Sequence, residues 1–472
     1  MRIRPRAVAQ PVGIADLQSL VRFAAAEGCP LVPRGSATGM PGGNVGPGIV
    51  VDFQDKAFQG LDAIDLERGT VRAGVGVVLA RVVDAARAVG LEFPPSPSSV
   101  TRCSVGGVAA NNAAGARSFR HGSARPWIED VEAVLSDGDL LRPGRSRPDV
   151  FGQARALGAQ GAWELEWPRV RKNSSGYAIP DFVDTGRPSD LLVGSEGTLG
   201  LLTAVELRLR PLPAERRVAV LALPTRGALA RVIDVASRLR ASACEFLGHS
   251  LLQMGAVEAD PLVGDMVETA WGLAIVEFEG TSEEVGSSMG ELLSEARGLE
   301  IAARAGSDGI ESRDLWNVRH RASPTIAARA GEDRVSMQFI EDSVVPPGRL
   351  PEYLAGLSCI LSEARLEAVV FGHAGDGNVH VNPLVPTGDD DWRDRVRQVL
   401  EAVAGLVASL EGTLSGEHGD GRIRTPLLDR VWGPGSVAAF KETKALLDPE
   451  GIFNPGVILP LPGQDPLEGM GC

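Results

Sequence analysis

The sequence predicts an α+β protein built from at least two domains, and three observations carry that expectation. The chain has 472 residues, about three times the usual domain size. From its start to about Leu212, short β-rich runs alternate with glycine-rich turns and short amphipathic helices, and Arg208–Pro213 (RLRPLP) closes the region with two prolines. Beyond that boundary longer strands and helices alternate, with no repeat at solenoid periods.

In chain order, Gly48–Phe53, Thr70–Ala73 and Asp130–Leu135 read as strands, the last running into the turn signal Ser136-Asp137-Gly138. Leu273–Phe278 reads as a strand. Asp391–Leu410 has helical spacing, with Val396, Val399, Leu400, Val403, Leu406 and Val407 on one side. Lys and Arg number 47 against 61 Asp and Glu, a net charge of −14. That balance argues against a general nucleic-acid or anionic-membrane surface, though a local basic pocket can still hold an anion. Five scattered cysteines without a CxxC exclude a cysteine-ligated zinc site, an iron–sulfur cluster and a disulfide framework. No stretch approaches the ~18 apolar residues of a membrane span. The expected setting is a reducing cytoplasm, or the inner membrane face as a peripheral protein, and a homo-oligomer stays open.

Gly74-Val75-Gly76-Val77-Val78-Leu79 sits where a dinucleotide fingerprint would, but Leu79 replaces the third glycine, so it reads as a structural turn. Two other glycine-rich stretches say more. Arg34-Gly35-Ser36-Ala37-Thr38-Gly39 can expose successive backbone N–H groups as an anion-binding nest, with two hydroxyl donors added. Ser104–Gly115 (SVGGVAANNAAG) carries only small, apolar or amide side chains, which lets a large flat ligand approach the backbone. With Gly194–Gly200 (GSEGTLG) they point to a nucleotide-type cofactor.

Three of the six histidines, His373, His380 and His418, fall close together. Two β-rich runs flank Asp376-Gly377, a two-residue hairpin signal that sets His373 directly opposite His380. Opposed Cβ atoms lie about 4.5–5.5 Å apart, close enough for two imidazoles to share one metal ion. Asn382 points to the same face as His380. The third ligand is expected to be a carboxylate or another histidine, and Ser415-Gly416-Glu417-His418-Gly419-Asp420-Gly421 supplies both. His121, His249 and His320 lack such company and read as structural or surface residues.

The series RGSATG, SVGGVAANNAAG, RKNSSGY (Arg171–Tyr177) and LVGSEGTLGLLTAVELRLRP (Leu192–Pro211) resembles the FAD domain of the vanillyl-alcohol-oxidase superfamily, in the branch of D-lactate, D-2-hydroxyglutarate and glycolate dehydrogenases. The resemblance runs from about Leu31 to Gly456. It implies a PCMH-type FAD-binding domain (1–213), followed by a substrate, or cap, domain with an antiparallel sheet and covering helices (214–456). The part from about 415 to 456 would pack back on the FAD domain, leaving a tail at 457–472. It makes Arg34, Gly35, Ser36, Ala37, Thr38, Gly39, Ser104, Gly106, Asn112, Gly115, Glu196 and Asn454 the cofactor candidates. Where some relatives carry a flavin-linking histidine, this chain has Ser36, Ala37 and Thr38, so FAD is expected to be non-covalent. HAGDGNVHVN and SGEHGDG resemble the family's metal and catalytic segments. That implies a divalent ion on His373, His380 and Glu417, zinc by preference with manganese or iron as alternatives. It also implies that His418 is the base.

LWNVR (Leu315–Arg319) resembles the family's substrate-binding arginine segment, placing Arg319 on the substrate carboxylate, with Ser323 one helical turn later. Asn382 is the other substrate candidate. The hydroxyglutarate members' lysine aligns with Ile340, which Arg334 or Gln338 would have to replace. The implied reaction is oxidation of a small 2-hydroxy acid by hydride transfer from C2 to FAD. Its electrons would leave to a quinone, an electron-transfer flavoprotein or a partner subunit. Two rival classes are a metal hydrolase, which leaves the glycine-rich loops unexplained, and a non-catalytic flavoprotein subunit, which has no need of the ligands retained here.

Overall fold

The computed structural model describes residues 1–145, 147–159, 166–253, 262–268, 270–320, 326 and 334–470. The chain opens on a small parallel sheet of β1 (Ala7–Ala9), β2 (Leu31–Arg34) and β3 (Ile49–Asp52), in the order β1-β3-β2. Helix α1 (Ile14–Glu27) joins the first two strands and buries Leu17, Val21 and Ala24, which recur at helical spacing. It stops at Gly28, which takes the left-handed conformation. An antiparallel sheet follows, built from β4 (Thr70–Gly74), β5 (Ile128–Val134), β6 (Leu140–Leu141) and β7 (Leu201–Arg208), in the order β4-β7-β5-β6. Helix α2 (Val105–Ala110) starts at Ser104, whose hydroxyl accepts from the Gly107 N–H. The strand and turn expectations fall close to these spans, and Ser136-Asp137-Gly138 does join β5 to β6. The Gly74–Leu79 turn is structural: a Cβ on Gly74 or Gly76 would stand 2.3 Å from the carbonyl oxygen of Phe58 or Phe53.

The second half is organised by an eight-stranded antiparallel sheet. Its strands are β8 (Glu215–Leu223), β9 (Ala243–Gly248), β10 (Gly272–Gly280), β11 (Ala302–Ala305), β12 (Val335–Ser336), β13 (Ser343–Val344), β14 (Glu367–His373) and β15 (Asn378–Val385). They run in the order β11-β8-β10-β9-β14-β15-β12, with β13 also on β15. Alternation along β8 divides two cores. Ala219, Leu221 and Leu223 pack with helices α3 (Arg226–Arg238), α4 (Ser282–Gly298), α6 (Leu350–Glu363) and α7 (Trp392–Ser409). Val218, Val220 and Ala222 face the other way, toward Leu315 and Val318 of α5 (Gly309–His320). Helix α7 matches its apolar spacing, burying Val396, Val399, Leu400, Val403 and Val407.

After α7 the chain returns to the first half. Trp432, then Phe440 and Leu447 of α8 (Pro434–Leu447), and Phe453 all join the first core. The Leu31 N–H donates to the Ile452 carbonyl at 2.7 Å, and the Asn454 N–H to the Leu31 carbonyl at 2.8 Å. Residues 457–470, expected as part of a tail, are packed instead: Leu467 and Met470 enter the second core, where Arg393 donates to both of their carbonyls. No helix among the described residues is long and apolar enough to cross a membrane.

Charged residues lock the halves together along β10. Arg117 grips Glu277 through Nε and Nη2 at 2.7 and 3.0 Å. Arg210, Arg216 and His121 converge on the buried Glu279. Burial alone would raise the Glu279 carboxyl, but those partners hold it far below the usual carboxylate range. A depressed carboxyl stabilises the fold above its unfolded value of about 4.3, and that contribution is lost as pH falls through the folded value. Glu279→Gln is therefore expected to lower the apparent melting temperature by several degrees at pH 7. Calorimetry across pH should find the deficit steady down to about pH 5 and narrowing only below about 4.3.

Candidate active site

The hairpin β14–β15 pairs His373 with Asn378 and Phe371 with His380. This corrects the expectation of directly opposed histidines. The connection takes four residues, a single 3₁₀ turn over Ala374–Asp376 followed by Gly377 in the left-handed region at φ 73°. The turn packs so closely on the Val345 backbone that only glycine fits at 377, since a Cβ there would lie 1.9 Å from the Val345 carbonyl oxygen. The register is displaced by an even number of residues, so the faces are preserved. His373 and His380 become diagonal neighbours on one face, with ring centroids 5.0 Å apart.

Hydrogen bonds at Nδ1 fix what each ring presents. His380 Nδ1 lies 2.8 Å from the Glu341 carbonyl oxygen, and His373 Nδ1 2.6 Å from Glu245 Oε1. Both partners are acceptors, so each Nδ1 carries the proton and each Nε2 is left with a lone pair. Those Nε2 atoms stand 3.0 Å (His373) and 3.3 Å (His380) from Glu417 Oε1. Three acceptors thus converge in a buried space, within 4.8 Å of one another, and only a cation or a proton between them relieves the repulsion. Without a metal ion the proton serves: burial lowers the His373 pKa, but Glu245 and Glu417 reverse the shift and raise it. The donor set therefore fits a divalent ion.

His418 leaves the same loop toward the cavity, its ring stacked on His380 with centroids 5.4 Å apart. Its Nδ1 lies 2.5 Å from Glu341 Oε2, which orients the ring and aims Nε2 away from that carboxylate. Burial would lower its pKa, but Glu341 and Asp342 outweigh it and hold the imidazole up at about 9. Asp342, fully buried, accepts from the backbone N–H groups of Glu417 and His418, both at 2.9 Å, and from Ser415 Oγ at 3.0 Å.

His373, His380, Glu417, His418 and Glu341, but not Asp342, line a cavity of about 790 Å³ that runs between the two halves. The lining also includes the first glycine-rich loop, Arg34 through Gly39, with Ser104, Gly106 and Gly115 of the second. Such a lining of backbone and small side chains fits a large flat cofactor. Asn382 lines the cavity beside Gln338, which donates to its Oδ1 at 3.3 Å. Arg319 lines it too, with Nε given to Glu245 Oε2 at 2.8 Å and the guanidinium over the Phe371 ring. Glu196 reaches the cavity, but its carboxylate accepts from the Asp420 and Gly421 N–H groups.

Asn112 and Asn454 do not line the cavity. Asn112 Oδ1 accepts from the Arg125 N–H, and the Asn454 amide donates to the Gly43 and Glu196 carbonyls, so both pin the loops from behind. Arg334, one candidate to replace the missing lysine, pairs with Glu367 at the surface, and Ile340 is buried in the second core. Ser323 lies outside the described residues. His320, expected as a structural or surface residue, is exposed and also lines the cavity.

Sequence reasoning missed Glu245, Glu341, Asp342 and Lys172 as site residues, and took Asn112 where its neighbour Asn111 lines the cavity. A signal existed for three of them. Glu245 interrupts the buried apolar strand Ala243–Gly248, and Glu341-Asp342 interrupts the apolar run from Phe339 to Val345. Acids in such places need partners.

Residues 212–458 match the family described as FAD linked oxidases, C-terminal domain, and residues 5–144 the FAD binding domain. The chain is 29% identical over 468 residues to a D-lactate dehydrogenase of Archaeoglobus fulgidus, covering 97% of this chain and 93% of that one. It is 30% identical over 467 residues to a D-2-hydroxyglutarate dehydrogenase of Xanthomonas citri pv. viticola, covering 96% and 89%. A 4-ethylphenol oxidase from Gulosibacter chungangensis shares the fold, with a TM-score of 0.68 at 16% identity over 96% of this chain and 89% of that one. The hairpin geometry yields a test of its own. Gly377→Ala combines a strained φ with a backbone clash and should cost about 2 kcal/mol or more. Thermal unfolding should show a drop of several degrees, against no change for Gly388→Ala, where an added Cβ meets nothing within 4 Å.

Proposed function

The chain belongs to the FAD-linked oxidases, and on that premise we propose that it is an FAD-dependent dehydrogenase oxidising a D-2-hydroxy acid to the 2-oxo acid. One observation carries the reading: His373, His380, Glu417 and His418 share a cavity with both glycine-rich loops. In this reading residues 1–213 form the flavin-binding part and 214–456 the substrate and metal part, with 415–456 packed back on the flavin side. The relatives named for D-lactate and D-2-hydroxyglutarate support this substrate class.

When bound, FAD supplies the acceptor for the C2 hydride. A divalent ion on His373, His380 and Glu417, zinc by preference and otherwise manganese or iron, supplies a Lewis acid for the substrate oxygens. The chain's own residues do the rest. Arg319 meets the substrate carboxylate with a fork of donors, while Glu245 holds the guanidinium through Nε. His418 takes the hydroxyl proton on Nε2, because Glu341 occupies Nδ1. Glu341 and Asp342 hold a proton on His418 in the metal-free site, and a neighbouring dication would oppose that and favour the neutral base. Trp316 and Phe371 line the same cavity and give it apolar surface. Electrons leave to a quinone, an electron-transfer flavoprotein or a partner subunit.

The decisive experiment is anaerobic mixing with a panel of D- and L-2-hydroxy acids. Bleaching of the flavin by D-acids alone is expected, and no bleaching by any of them would refute the reading in favour of hydrolysis or a passive subunit. Elemental analysis should find one divalent ion per chain in the parent and clear loss in His373→Ala, with full retention excluding the ligand assignment. His418→Ala should keep FAD and metal yet reduce the flavin at least ~100-fold more slowly, the usual scale for a lost general base. Wild-type bleaching by that variant would remove His418 from the mechanism.

A further inference from the structure

Behind the metal cluster lies a buried ammonium that the reaction above does not use. The Lys172 side chain is 1% exposed, and its Nζ stands 2.9 Å from Glu417 Oε2. The same nitrogen donates to Asn378 Oδ1 at 2.9 Å. Lys172 is not part of the cavity lining. The two oxygens of Glu417 are therefore divided: Oε1 faces both histidine Nε2 atoms, and Oε2 faces the lysine.

The arrangement is braced on both sides. The Ser174 N–H donates to the Ser415 carbonyl and the Ser174 hydroxyl to the Gly416 carbonyl, both at 2.9 Å. Thr413 Oγ1 donates to Asn173 Oδ1 at 2.9 Å. Asn378 passes the restraint on, its Nδ2 donating to Asp342 Oδ1 at 3.1 Å. Rotating Glu417 to offer Oε2 to the histidines would strip a buried ammonium of its counter-charge, a costly loss.

We propose that Lys172 is a positioning residue that restricts Glu417 to a single metal-facing oxygen and, as a fixed like charge, limits how tightly the site holds a divalent ion. A carboxylate bound through one oxygen leaves coordination positions for a substrate hydroxyl and carboxylate, whereas one bound through both oxygens would occupy them. The inference rests on the metal reading above.

The sign of the effect separates this role from a structural one. A lesion that merely loosens the site weakens metal binding, whereas removing a repelling cation tightens it. FAD-loaded protein stripped of metal by a chelator would be titrated with zinc and with manganese by calorimetry, in the parent, Lys172→Met and Lys172→Arg. Lys172→Met should bind manganese about tenfold or more tighter, and Lys172→Arg should return to within about threefold of the parent. Unchanged or weaker binding by Lys172→Met, or an arginine variant no nearer the parent than the methionine one, overturns the proposal. If Lys172→Met does not fold as a yellow protein, Lys172→Gln removes the charge while keeping a donor, and parental affinity in that variant overturns it equally. A parent that binds neither metal stoichiometrically overturns the metal reading itself, a result distinct from equal affinities across the variants.

Discussion

One oxygen of Asp342 receives hydrogen bonds from Ser415 Oγ and from the backbone N–H groups of Glu417 and His418, while its other oxygen accepts from Asn378. The glycine-rich loop at 415–421 has little regular structure of its own, and this carboxylate gives it a shape. Because Asn378 begins β15 opposite His373, the same carboxylate ties the loop to the hairpin that carries both imidazoles. Burial would raise the Asp342 pKa, yet His418 and Arg424 bring it down to about 2, so the anion persists at any physiological pH. The hairpin histidines and the 415–421 loop meet because one buried anion collects donors from each.

Around that anion the site is a layered arrangement of charge in a low dielectric. Glu245 sits between Arg319 and His373, and Glu341 between Arg424 and His418. Each carboxylate both anchors a cation and sets the protonation of an imidazole. His373, held by the Glu245 carboxylate, and His380, held by the Glu341 backbone carbonyl, offer Nε2 inward, and His418 is held by Nδ1. The first half contributes through Lys172 and through Asn111, whose amide donates to the His418 carbonyl at 3.1 Å. The histidine cluster and the second glycine-rich loop thus share one hydrogen-bonded network across the junction, which Arg117 and Glu279 close elsewhere.

The sequence carried the glycine-rich loops and the shared face of His373 and His380, because each depends on local features. Strand alternation and turn residues set which face a side chain takes. For that reason the histidines share a face even though the register differs from the one a two-residue turn implies: side-chain direction has period two, and the displacement is even. The small side chains of Arg34–Gly39 and Ser104–Gly115 likewise mark a surface that a flat ligand can approach, whatever the rest of the chain does.

What the tertiary structure alone decided are the partners, since a buried charge is defined by what it meets and not by its neighbours in sequence. Nothing local to Glu245, Glu341 or Lys172 says that they close on residues far along the chain. Asn111 and Asn112 are adjacent and identical in type, yet the turn after α2 sends one to the cavity and the other behind it. The Val345 carbonyl, brought to the hairpin turn by packing, leaves room only for glycine at 377. Residue type and period determined which chemistry the chain can offer, and long-range packing decided which of those groups face one another.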